Sequence, residues 1–285
     1  MTKIEWTGST WNPITGCNKI SAGCAHCYAA DIAKRFWGDR PFSEVRFHED
    51  RLSLPLKRKK PTTYFVNSMS DLFHESVTDK QLNWIFAVIA LTPHHTYQIL
   101  TKRPDRMRQY FADMDRSSGR PMKVAAAARS LLEKFFGMKE LDREWQNYLA
   151  INRSFPLRNV WLGVTIENQK ALRDRSMVLH QMNLAGWKTF YSVEPLLESV
   201  DLMLNGCPVD WVIVGGESGA QARPFMLEWA RNIQSQCEKQ NVPFFFKQPG
   251  ANAWDGDLKL SKHAKGDKLS EIPLDLQIRQ FPTIN

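Results

Sequence analysis

The sequence predicts an α/β protein, a complete or partial TIM-like (β/α) barrel of parallel strands carrying a helical insertion. Three observations lead there. Short, mostly apolar segments alternate along the chain with stretches of helical periodicity, the pattern of parallel βα units whose sheet is covered on both faces. Each apolar segment gives way at once to polar residues, as strands do where they reach the functional rim of a barrel. The length of 285 residues, 43% of them apolar and 24% charged, suits one barrel domain over 1–285 with a single large core.

One strand is counted before the cysteine-rich stretch at 17–27, and Tyr28 to Trp37 then predicts a short helix closed near Gly38. Thr62-Thr63-Tyr64-Phe65-Val66 is β-branched and aromatic, which predicts a buried strand ending in the polar run Asn67 to Asp71. Thr78 and Gln81 match a capping box. Leu82, Ile85, Phe86 and Ile89 then recur at helical spacing until Pro93 stops the helix. Thr96 to Leu100 is the next strand, ending in Thr101 and Lys102.

The rhythm breaks from about 105 to 159, an interval roughly twice a normal crossover. Val124 to Phe136 and Asp142 to Leu149 have helical character, which predicts a helical insertion on the barrel rather than a second domain. Alternation resumes with strands at Val160 to Val164, Thr189 to Val193, Trp211 to Val214 and Phe244 to Phe246. Helices are predicted from Asn168 to Met182 and from Met226 to Gln240, and the strand count comes to about seven. From Ala251 onward the chain is polar and rich in glycine and lysine, a C-terminal extension over about 251–285.

Three of the five cysteines, Cys17, Cys24 and Cys27, fall within eleven residues in the spacing C-x6-C-x2-C. Thiolates are soft ligands that select iron–sulfur clusters, zinc or copper. A structural zinc site is normally closed by four protein ligands, whereas a [4Fe–4S] cluster held by three cysteines leaves one iron open to a small molecule. The alternative is zinc, with His26 or a distant histidine as fourth ligand. If it is no ligand, His26 is expected to point into solvent. An odd number of cysteines does not make a disulfide framework. Cys237 falls in step with Met226, Ala230 and Ile233 on one helical face and reads as core, and Cys207 sits in a turn without a partner at ligand spacing.

The flanks Asn12-Pro13-x-Thr15-Gly16-Cys17 and Gly23-Cys24-x-x-Cys27-Tyr28-Ala29 resemble the cluster loop of radical S-adenosylmethionine (SAM) enzymes, particularly the branch near spore photoproduct lyase. That branch usually has C-x3-C-x2-C, so three more residues separate the first two cysteines here. The longer spacing resembles a phage-associated three-cysteine-motif family of unassigned activity. Trp6-Thr7-Gly8, Asn67-Ser68-Met69-Ser70-Asp71, Thr101-Lys102-Arg103-Pro104 and Gly215-Gly216-Glu217-Ser218-Gly219 extend that resemblance along most of the chain. It implies a [4Fe–4S] cluster on Cys17, Cys24 and Cys27, SAM as cofactor, and a 5′-deoxyadenosyl radical formed by reductive cleavage. By the same resemblance Asn67, Ser68 and Asp71 face the SAM amino group, in place of the usual Gly-Gly-Glu. A protein partner encoded with the three-cysteine-motif family is also implied.

The polar strand ends converge on one rim in a parallel barrel. They are Asn67, Ser68 and Asp71; Thr101 and Lys102; Thr165 and Glu167; Ser192 and Glu194; Glu217 and Ser218; Lys247 and Gln248. Lys102, Glu194 and Glu217 are the candidate catalytic residues, and Glu167 and Lys247 are further candidates for substrate binding. Such charges alternatively pair with one another in the barrel mouth. Gly215 and Gly216 allow backbone N–H groups to approach a ligand, with Arg223 close behind, or else form a tight turn.

The formal net charge of +8 favours a polyanionic partner, DNA or RNA, because a basic surface attracts phosphates and releases their counterions. Lys57 to Lys60 and the run Lys102, Arg103, Arg106 and Arg108 are candidate phosphate contacts, or solvated faces, and an exposed Trp37 or Trp254 would stack on a base. The start Met1-Thr2-Lys3-Ile4-Glu5 has no apolar signal region and no apolar run approaches the ~20 residues that cross a bilayer, so a cytoplasmic location without membrane contact is expected. Two functions follow. The first is a radical SAM-like enzyme, a lyase or modifying enzyme that repairs or modifies a nucleic acid or nucleotide. The second is a non-catalytic iron–sulfur or zinc-containing nucleic-acid-binding subunit of a phage-related complex.

Overall fold

The computed structural model describes residues 4–115, 118–137, 154–260 and 272–283. The helix expected at Asp142 to Leu149 and the part of the C-terminal extension at 261–271 lie outside them. The strands are β1 (Ser9–Trp11), β2 (Ile14–Thr15), β3 (Arg46–Phe47), β4 (Thr63–Val66), β5 (Thr96–Thr101), β6 (Val160–Thr165), β7 (Lys188–Val193), β8 (Trp211–Gly215), β9 (Phe225–Met226), β10 (Phe244–Gln248), β11 (Ala253–Asp255) and β12 (Leu258–Lys259). The helices are α1 (Tyr28–Phe36), α2 (Ser53–Lys57), α3 (Asp79–Leu91), α4 (Pro104–Phe111), α5 (Arg120–Phe136), α6 (Gln169–Leu184) and α7 (Leu227–Lys239).

Seven of these strands run parallel and are hydrogen-bonded in the order β1-β4-β5-β6-β7-β8-β10. β1 and β10 stand at opposite ends of that order. The α/β class expected from the sequence is therefore realised as a partial TIM-like barrel rather than a complete one. The chain forms two compact units, one of residues 1–18, 33–161 and 185–187, the other of residues 19–32, 162–184 and 188–285.

In the first unit β4 lies between β1 and β5, with Phe65 opposite Thr10 on one side and Gln98 on the other. Tyr64, Phe65, Val66, Tyr97 and Ile99 are buried, as their β-branched and aromatic character predicts. The capping box is present: Thr78 Oγ1 accepts from Gln81 N at 3.3 Å and Gln81 Oε1 accepts from Thr78 N at 2.9 Å. Leu82, Ile85, Phe86 and Ile89 of α3 are fully buried, a burial worth roughly 1.5–3 kcal/mol for each side chain. α3 packs on α5, where Val124, Ala128 and Leu131 are buried. α5 starts at Arg120, four residues before the expected boundary, because Pro121 falls in the first turn, where a missing N–H costs nothing. Pro104 starts α4 in the same way.

In the second unit β8 lies between β7 and β10, and every residue of Trp211–Gly215 is buried. Ala230, Ile233 and Cys237 lie on the buried face of α7, as the helical spacing predicts; Leu227 completes that face, whereas Met226 lies in β9 before the helix and is half-buried. The free edge of β10 is covered by the C-terminal segment. Phe246 N donates to Ile278 O at 2.8 Å, Gln280 N to Phe244 O at 3.0 Å, and Phe244 N to Gln280 Oε1 at 2.9 Å.

Candidate functional site

Cys17 belongs to the first unit, and the chain reaches it through a backbone that only glycine adopts at low cost. Gly16 has φ +97°, and a Cβ there would lie 2.2 Å from the Glu44 carbonyl oxygen. Gly16 N donates to Met69 O at 2.9 Å and Cys17 N to Phe42 O at 2.8 Å. The segment after β4 is knitted to this approach. Asn67 Oδ1 accepts from Ile14 N at 3.2 Å, Ser68 Oγ donates to Asn12 Oδ1 at 3.2 Å, and Ser70 Oγ donates to Ile14 O at 3.0 Å. Asn67 is buried at φ 60°, and its Nδ2 has no partner among the described residues.

Asp71 is buried and accepts from Thr101 Oγ1 at 2.7 Å, Lys102 N and Phe73 N at 3.0 Å, and Arg103 Nη1 at 3.3 Å. Arg103 Nη1 also lies 3.5 Å from the Cys17 sulfur, Nη2 donates to Asn18 O at 3.5 Å, and Nε donates to Glu75 Oε2 at 2.9 Å. Burial works against the guanidinium charge, but Asp71, Cys17 and Glu75 outweigh it and hold the pKa of Arg103 above its ordinary value. Lys102 contributes its backbone N–H here, and its side chain has no ion-pair partner among the described residues. Arg103, read from the sequence as a phosphate contact, is instead the group beside the first cysteine.

Cys24 and Cys27 belong to the second unit. Cys24 ends the short helical turn Ala22–Cys24, and Cys27 O accepts from Ala30 N at the start of α1. His26 does not point into solvent: its Nδ1 lies 3.1 Å from Glu217 Oε2. Arg223 N and Nε donate to the same oxygen at 2.9 and 3.1 Å, while its Nη2 reaches Glu217 Oε1 and, at 3.0 Å, Ala22 O. Burial raises the Glu217 carboxyl, but the hydrogen bonds from Arg223 and His26 outweigh it and hold the group below the usual glutamate range. Glu167 is fully buried and accepts from Arg175 Nη1 at 2.6 Å and from Gly23 N at 3.4 Å. A Cβ on Gly23 would come within 3.3 Å of that carboxylate and of the Pro195 ring.

Further along the strand ends, Lys247 Nζ lies 3.3 Å from Glu194 Oε1. A Cβ on Gly215 would sit 2.5 Å from Glu194 Oε1, and one on Gly216 would sit 2.2 Å from Pro249 O. Gly216 N donates to Gln248 O at 2.9 Å. Both glycines thus admit a close approach by the chain itself, and Arg223 is spent on Glu217 and Ala22. Thr165 Oγ1 and Ser192 Oγ are buried without a partner among the described residues. Sequence reasoning missed Arg175 as the partner of Glu167. Its only local signal is a position eight residues on, about two helical turns along α6.

No group of three or more His, Cys, Asp or Glu side chains able to hold a metal is found among the described residues. Cys17, Cys24 and Cys27 are half-exposed and none is in a disulfide, whereas Cys207 and Cys237 are buried. Burial pushes the Cys237 thiol up to about 12, the behaviour of a core residue. Of the basic runs, Lys57, Arg58, Lys59 and Lys60 are all exposed. Arg103, Arg106 and Arg108 are paired with acids, Asp71 and Glu75, Asp79, and Asp105 respectively. Trp37 is half-buried beneath the Arg40 guanidinium, 4.2 Å from the ring centre, and Trp254 is half-buried with Lys259 Nζ at 5.6 Å. Neither indole is fully exposed. No helix among the described residues is long and apolar enough to cross a membrane.

The profile of one protein family, described as "Protein of unknown function (DUF5131)", matches residues 1–276. The chain belongs to the DUF5131 family. No curated protein matches this DUF5131 chain. Among solved structures, a cysteine-to-serine mutant of spore photoproduct lyase is similar at 12% identity and a TM-score of 0.42, over 81% of this chain and 61% of that one. Spore photoproduct lyase complexed with dinucleoside spore photoproduct is similar at 14% identity and a TM-score of 0.41, over 79% and 59%. A spore photoproduct lyase double mutant with bound AdoMet and dinucleoside spore photoproduct gives 13% and 0.40, over 81% and 61%. The DUF5131 chain spans about three-fifths of the length of these structures.

Proposed function

We propose that this DUF5131 protein is an iron–sulfur enzyme of the radical SAM kind that repairs or modifies a nucleic acid or nucleotide. One observation supports it above the others: the five cysteines divide into three half-exposed thiols, all in the C-x6-C-x2-C loop, and two buried ones. The chemistry of that donor set, three soft thiols in one loop, suits a cluster held by three thiolates, with Cys17, Cys24 and Cys27 as its ligands. Such a cluster, when bound, offers an open iron to the amino and carboxylate groups of SAM and an electron for its reductive cleavage. The chain's own residues prepare the loop. Arg103 places positive charge 3.5 Å from Cys17, which favours the thiolate that binds metal. Glu167, Glu217 and Arg223 hold the turn that carries Cys24 and Cys27. The orphan hydroxyls of Thr165 and Ser192 are unspent hydrogen-bonding capacity for a polar ligand. Nucleic acid is favoured by the net charge of +8 and by the exposed run Lys57 to Lys60.

A second reading has one observation in its favour. A histidine that ligates zinc usually gives its other ring nitrogen to a carboxylate, and Glu217 stands in that relation to His26 Nδ1. Zinc held by Cys17, Cys24, Cys27 and His26 would make the protein a nucleic-acid-binding subunit rather than an enzyme. Protein purified without oxygen decides between them: the first reading expects a brown protein with about four irons and matching sulfide per chain. Stoichiometric zinc without sulfide would overturn it.

A further inference from the structure

We infer that Glu167, Glu217 and Arg223 form a brace that fixes the cysteine turn in the conformation from which Cys24 and Cys27 bind metal. They are positioning residues, acting on the thiols through the backbone and through His26. The inference rests on the reading of Cys24 and Cys27 as metal ligands, whichever metal they hold. Between Ala22 and His26 the turn receives one tie from nearby in the chain, Lys19 Nζ donating to Ala25 O at 3.0 Å, and three from Glu167, Glu217 and Arg223. Ala22 O accepts from Arg223 Nη2 at 3.0 Å, Gly23 N donates to Glu167 Oε1 at 3.4 Å, and His26 Nδ1 bonds Glu217 Oε2 at 3.1 Å. All six residues belong to the second unit. Each carboxylate is in turn fixed by an arginine, Arg175 for Glu167 and Arg223 for Glu217.

The placement of the ties is what separates a brace from ordinary packing. The turn buries no residue of its own: Ala22 is exposed, and Gly23 and Cys24 are half-exposed. Apolar burial therefore does little to hold it, and the polar ties carry its order. The two acids are drawn from the ends of different strands, Glu167 two residues after β6 and Glu217 two residues after β8. A turn fixed from two strand ends presents its thiols in one geometry, whereas an unbraced loop would have to be ordered by the metal itself, at a cost in affinity. Gly23 belongs to the same arrangement, because a side chain there would press on the Glu167 carboxylate and the Pro195 ring.

Alkylation of the five cysteines in the metal-free full chain, followed cysteine by cysteine by peptide mass spectrometry, tests the brace. In Glu217→Ala the rates at Cys24 and Cys27 are expected to rise by about tenfold, the scale of a lost charged hydrogen bond. Cys17, in the other unit, and the buried Cys207 and Cys237 should keep their wild-type rates, which a general loosening of the fold would not allow. Arg223→Ala should reproduce the pattern, and Glu217→Gln, which keeps an acceptor for His26, should restore part of the protection. Unchanged rates at Cys24 and Cys27 in both alanine variants would overturn the inference. If Glu217→Ala accelerates all five cysteines, Arg223→Ala decides, since its side chain is partly exposed and its loss leaves no cavity in the core. Metal and sulfide analysis of the wild type tests the ligand reading separately. A protein that keeps the braced alkylation pattern but binds no metal removes that reading and shows the brace serving another purpose, which also overturns the inference as stated.

Discussion

Arg103 Nη1 lies 3.5 Å from the sulfur of Cys17, although 86 positions separate the two residues in the chain. The same guanidinium is locked by Asp71, itself held by Thr101 and two backbone N–H groups. A charged donor fixed in this way favours the thiolate over the thiol. Arg103→Gln should slow alkylation of Cys17 at neutral pH severalfold while leaving Cys24 and Cys27 unaffected. An unchanged rate would show that the contact has no electrostatic consequence.

Cluster content should follow the exposure of the cysteines. Replacing Cys17, Cys24 or Cys27 by Ala is expected to abolish bound iron, and Cys207→Ala or Cys237→Ala to retain it. Iron analysis and the visible absorption of anaerobically purified variants measure this. Iron lost equally from all five would mean that the buried thiols also serve the site.

Glu217 makes stability depend on acid. Its carboxyl is held below the usual range by Arg223 and His26 against the opposing effect of burial, so the unfolded chain binds its proton more readily than the folded one. The stabilisation is fully present above the ordinary glutamate range and is lost as pH falls through the lowered folded value. Thermal midpoints measured between about pH 3 and pH 7 should therefore fall less steeply with acid in Glu217→Gln than in the wild type. Parallel curves would refute the assignment.

Gly16 is expected to tolerate no side chain. At φ +97° and with a Cβ placed 2.2 Å from Glu44 O, Gly16→Ala should destabilise by about 2 kcal/mol or more and disturb the backbone entering Cys17. Chemical denaturation reads the first effect. A variant as stable as the wild type would mean that the turn rearranges freely.

If the protein binds nucleic acid as proposed, the exposed run Lys57 to Lys60 is the phosphate contact to test, because Arg103, Arg106 and Arg108 are paired with acids. Affinity for DNA or RNA should fall steeply with salt, and charge reversal over Lys57 to Lys60 should flatten the slope. Binding insensitive to salt, or none at low salt, would remove nucleic acid from the function.

Local periodicity and local chemistry made much of this protein legible from its residues. The alternation of apolar strands and helices, the Thr78 and Gln81 capping box, the buried face of α7 with Cys237, and the C-x6-C-x2-C loop all depend on neighbours within a few turns of chain. Arg103 beside Cys17, His26 on Glu217, Arg175 beneath Glu167 and the C-terminal segment along β10 were decided only by the tertiary structure. Apart from Arg175, which lies eight residues on from Glu167, these are pairings between segments tens of residues to nearly two hundred residues apart. A charged residue carries in its own sequence no mark of which opposite charge it will meet, and that choice is made when parallel pairing sets the order of the strands and brings their carboxyl ends to one side.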